Sequence, residues 1–168
     1  MTRDRIAAFG YAYVALALAA SLLGLGHPRA GSALLGGAAF AFVWFIAGLR
    51  SRLVRYDPDG FFATVVVLGG GAFVALQMVT LQLGTSRFAP PAAACATTVI
   101  FGATLAALRA RKVPKWFGRA GLGGGVAVLV VGLAEGTLGW TLAGRTVFAS
   151  MLGFMIWVLV TTTVLLRR

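Results

Sequence analysis

The sequence predicts an all-α, polytopic membrane helix bundle of six transmembrane helices with both termini in the cytoplasm. Three observations carry this. The 168-residue chain is 60% hydrophobic and only 11% charged, whereas a soluble domain carries about 25% charged residues. The apolar residues come in long continuous runs of about the 20 residues needed to cross roughly 30 Å of hydrocarbon. The basic residues, 15 Lys/Arg against 4 acids, cluster in alternate connections between those runs.

The first run is 6–26, "IAAFGYAYVALALAASLLGLG". Arg3 and Arg5 precede it, as in a secretory signal, but its apolar stretch exceeds the roughly 7–15 residues of an h-region and no Ala-x-Ala site follows. It is read as a span. The second is 30–49, the third 61–83, the fourth 89–108, the fifth 117–138 and the sixth 146–166. None alternates polar and apolar residues as a barrel strand would, and helices satisfy every backbone group within hydrocarbon. No segment is left over for a soluble domain, so residues 1–168 form a single transmembrane domain.

Charge tests the span count independently. Arg3, Arg5, Arg50, Arg52, Arg55, Arg109, Arg111, Lys112, Lys115, Arg119, Arg167 and Arg168 fall on one side of a six-span arrangement. Only Arg29, Arg87 and Arg145 fall on the other. Adding or removing a span scrambles this division. The richer side is cytoplasmic by the positive-inside rule, which places the protein in a cell inner membrane as a multi-pass chain. On a soluble chain the basic stretch "RARKVPKW" would point to nucleic acid. Here no nucleic acid is expected, and Arg109, Arg111, Lys112, Lys115 and Arg119 are candidates for anionic lipid headgroups, each gaining about 1 kcal/mol near an anionic leaflet.

Chemistry within the spans is sparse. Glu135 is the only acid inside one, and intramembrane ionisable groups are costly enough to count as functional candidates. One reading makes it a buried proton or cation site. The other puts "EGTLGW" at the outer end of span five, with Glu135 pairing Arg145, Arg87 or His27; Gly136, Gly139 and the interfacial Trp140 support this. Gln77 and Gln82 in span three, and Thr161–Thr163 in span six, read as interhelical hydrogen-bonding groups at about 0.6–2 kcal/mol, or as the lining of a polar cavity. Together Gln77, Gln82 and Glu135 are the candidate ligand or ion pathway, Gln77 lying deeper than Gln82.

The glycines read as packing. Gly121/Gly125 and Gly132/Gly136 are GxxxG pairs, a spacing that lets helix backbones approach. "GLGGG" matches neither a Walker sequence nor G-x-G-x-x-G after a strand. "LGGAAF" (35–40) and "LGGGAF" (68–73) are alike, but they lie in spans two and three, not in the span pairs that an inverted repeat would relate. In "RYDPDG", Pro58 with Asp57, Asp59 and Gly60 forms a turn. Asp59 or Gly60 is expected to cap the third helix, with the acids balanced by neighbouring arginines.

No cofactor or metal is expected. His27 is the single histidine and Cys95 the single cysteine, so neither two-histidine haem ligation nor a Cys-based metal site is available. No serine lies beside a histidine within a span, so no enzyme is expected.

The run "VPKWFGRAGLGGGVAVL" (113–129) resembles a feature of an uncharacterised group of bacterial multi-span integral membrane proteins of unknown function. In these a basic loop ends in Pro-basic-Trp-apolar-Gly as the chain re-enters the bilayer. Pro114, Lys115, Trp116, Phe117 and Gly118 are the matching residues. The resemblance implies a multi-span membrane fold and supplies no catalytic residues. The expected function is that of a structural or accessory subunit or small-ligand binder, alone or as a homo-oligomer or part of a membrane complex. The alternative is a small transporter or channel-like protein with a polar site near Gln77 and Glu135.

Overall fold

The computed structural model describes residues 3–23, 27–57, 59–83, 88–110, 113–138 and 149–165; within them the side chains of 3, 28, 80–83, 89, 136–138, 149 and 165 lie outside the description. The described residues form helices and turns, with no strand. The helices are α1 (Arg3–Leu23), α2 (Pro28–Leu53), α3 (Phe61–Leu83), α4 (Ala89–Arg109), α5 (Lys115–Leu138) and α6 (Ala149–Leu165). Five of them, α1 to α5, are long and apolar enough to cross a membrane, and α6 is a shorter apolar helix. The protein is a membrane-embedded helical bundle.

Each helix packs on its neighbours in sequence, and α6 closes back onto α1. The helices therefore form a ring, and short connections favour packing between helices that follow one another in the chain. α4 also reaches α2 and α6 across the ring. It is accordingly the most enclosed helix: 61% of its apolar window is buried, against 28–39% for the others.

Several helix ends differ from the sequence reading. α1 starts at Arg3 rather than residue 6, and the expected end at 24–26 lies outside the described residues. α2 runs from Pro28 to Leu53, four residues past the expected end at 49. Arg50 and Arg52 occupy its last turn, where cations complement the helix dipole, so the helix continues beyond its apolar segment. α5 begins at Lys115, not 117. Its first turn follows Pro114, and the amide of Phe117 bonds the Pro114 carbonyl. α4 ends at Arg109, one residue later than expected, and the start expected for the sixth span at 146 falls in 146–148, outside the described residues.

The prolines sit where a helix tolerates them. Pro28 opens α2 and Pro90 opens α4, positions whose N–H would have no partner in any case.

Between helices in lipid there is no hydrophobic driving force, so association rests on close packing and polar contacts. The centre of the ring is aromatic. Phe42, Phe73 and Phe154 pack mutually with ring centroids 4.8–5.6 Å apart. Tyr13 lies 4.8 Å from Phe42, and Trp157 stacks on Phe154 at 5.9 Å. Such pairs contribute about 0.5–1.5 kcal/mol each beyond their burial. Around this plug the helices approach through glycines. A Cβ at Gly10 would strike Thr162 and Phe45, at Gly48 Ile6, and at Gly102 Val66. "LGGAAF" and "LGGGAF" play different parts: a Cβ at Gly36 would meet open space, while one at Gly69 would lie 3.2 Å from the Cys95 carbonyl and one at Gly70 3.0 Å from Ile46.

Candidate functional site

Glu135 lies in the last turns of α5, away from the basic loops, and is 5% exposed. Its carboxylate accepts a hydrogen bond from the Ser150 hydroxyl at 2.7 Å and a longer one from the Ser150 N–H at 3.4 Å. Ser150 is itself buried, in the first turn of α6. The first N–H groups of a helix have no intrahelical partner, and the positive end of its dipole favours an anion. Glu135 thus does for α6 what a capping side chain does, from the neighbouring helix. Neither sequence reading named Ser150, because a hydroxyl in the first turn of a helix is silent until another helix delivers the acid. Of the expected partners, Arg87 and Arg145 lie outside the described residues, and His27 is exposed.

Gln77 is half-buried on α3 and lies on the wall of a cleft between α1, α2, α3 and the start of α6. Tyr13, Phe42, Phe73, Met78 and Met151 also line it. The lining is apolar and the space holds no more than about one water molecule. Met151 follows Ser150 in the chain, so the cleft ends one residue from the Glu135 partner. The side chain of Gln82 lies outside the described residues.

Four other side chains in this region are buried with no hydrogen-bond partner among the described residues: the hydroxyls of Tyr13, Thr161 and Thr162, and the indole N–H of Trp157. All lie on α1 and α6. Thr163, by contrast, is exposed and donates back to the Leu159 and Val160 carbonyls at 3.1 and 2.9 Å.

At the basic end, Asp57 of the expected turn is completely buried. Gly60 holds the N-cap position of α3, its carbonyl accepting from the Thr64 N–H at 2.9 Å, while the capping side chain is that of Asp57 and not of Asp59. The Asp57 Oδ2 accepts from the Phe62 N–H at 2.6 Å, and its Oδ1 lies 3.9 Å from the Arg109 guanidinium. Asp59 is exposed. Gly60 makes the reversal, at φ 67°, with its N–H on the Asp57 carbonyl at 2.9 Å. Arg109 also sits 5.9 Å from the Phe62 ring centroid. Of the other expected headgroup residues, Lys115 and Arg119 are exposed, while Arg111 and Lys112 lie outside the described residues. Arg52, grouped by the sequence with the loop cations, is instead buried.

The α5 glycines divide by face. A Cβ at Gly121 would strike Thr104, at Gly125 Phe101, and at Gly132 Ala93, so these three face α4. The Thr97 hydroxyl adds a bond from α4 to the Gly125 carbonyl at 3.1 Å. Gly123 and Gly124 meet open space, and the surroundings of Gly136 lie outside the described residues. Among the described residues no group of three or more His, Cys, Asp or Glu is placed to hold a metal ion. The comparisons add no identity to this geometry: no family model, characterised relative or solved structure matches the chain.

Proposed function

We propose that the protein is a non-enzymatic six-span protein of the cell inner membrane, both termini cytoplasmic, that binds a small apolar ligand. The Gln77 cleft carries this reading. It has an apolar wall and two flexible methionines that can re-pack around a guest. Arg109, Arg111, Lys112, Lys115 and Arg119 hold the basic end against anionic headgroups. Native mass spectrometry after mild extraction tests the cleft. A small apolar adduct is expected on the wild-type chain and not on Val74→Trp, which fills the space. A ligand-free wild-type chain overturns the reading.

A small transporter is the second reading, and one observation favours it. Buried polar groups are nearly always satisfied, yet Tyr13, Trp157, Thr161 and Thr162 are not. They adjoin the aromatic plug from the α1 and α6 side, while Glu135, Ser150 and Gln77 lie toward the end away from the basic loops. Two polar regions around a closed plug are what an occluded pathway would present. A cysteine at Thr161 distinguishes the readings: a pathway makes it reactive to a water-soluble thiol reagent, and a dry binder leaves it inert.

A further inference from the structure

We draw no further inference here: the strongest candidate, the side-chain cluster of buried hydroxyl and indole groups that Tyr13, Trp157, Thr161 and Thr162 form on the packed helices α1 and α6, belongs to the transport reading already described, and nothing in the structure shows that its polar atoms converge on one ligand.

Discussion

Asp57 concentrates several interactions of the basic end in one carboxylate. It caps α3, neutralises Arg109 and anchors the turn through Gly60. A capping side chain is worth about 0.5–2 kcal/mol, and the exposure of Arg109 keeps the ion pair at the weak end of its range. Asp57→Ala should therefore cost about 2 kcal/mol in SDS-titration unfolding, and the neighbouring Asp59→Ala under about 0.5 kcal/mol. Equal effects would mean that the cap is not formed by Asp57. The sequence contained the turn but not this assignment. In "RYDPDG" both acids lie within reach of a helix start, and which one turns inward depends on where α2 stops. Its end moved from 49 to 53 because arginines extend a helix past its apolar segment. Glu135 was legible as an unusual residue and illegible as a tie between helices. Glu135→Gln keeps an acceptor for Ser150 but removes the charge, so it should cost about 1 kcal/mol by the same titration; no change would show that the charge is immaterial to α6.

At the scale of helices, α5 is asymmetric. Gly121, Gly125 and Gly132 admit α4, whereas Gly123 and Gly124 point to open space. The GxxxG spacing announced close packing but not the partner, since the same stripe serves a second copy of the chain or a neighbouring helix. Only the ring topology, with α4 flanked by α3 and α5, decides that this stripe is consumed within the chain. Gly132→Val should thus destabilise the monomer by about 1–3 kcal/mol, because the Ala93 Cβ sits on a packed helix that cannot withdraw. Gly123→Ala should be neutral or stabilise by up to about 1 kcal/mol, having no neighbour to displace. Unfolding of both variants in parallel checks this. A tolerated Gly132→Val accompanied by loss of a dimer would reassign the stripe to an intermolecular contact.

For the molecule as a whole, hydropathy and charge made the helical bundle legible, because bilayer thickness leaves few alternatives to helices of this length. The ring closure and the aromatic plug were not legible, since twelve phenylalanines spread along an apolar chain carry no mark of which ones meet. Orientation turns on α6, whose 17 described residues span about 26 Å, less than the hydrocarbon thickness if taken alone. If α6 crosses, the chain has an even number of spans and the basic segments share one side. If it does not, Arg167 and Arg168 join Arg145 on the poorer side and the charge division weakens. Single cysteines at Lys112, Arg145 and Arg168, in a Cys95→Ser background, separate these cases in intact cells. A membrane-impermeant maleimide should label the Arg145→Cys chain directly, and the Lys112→Cys and Arg168→Cys chains only after permeabilisation. Labelling of Arg168→Cys in intact cells, with Lys112→Cys still protected, would remove α6 from the spans and leave five. Labelling of Lys112→Cys with protection of Arg145→Cys would invert the protein and place its basic segments on the opposite side of the membrane.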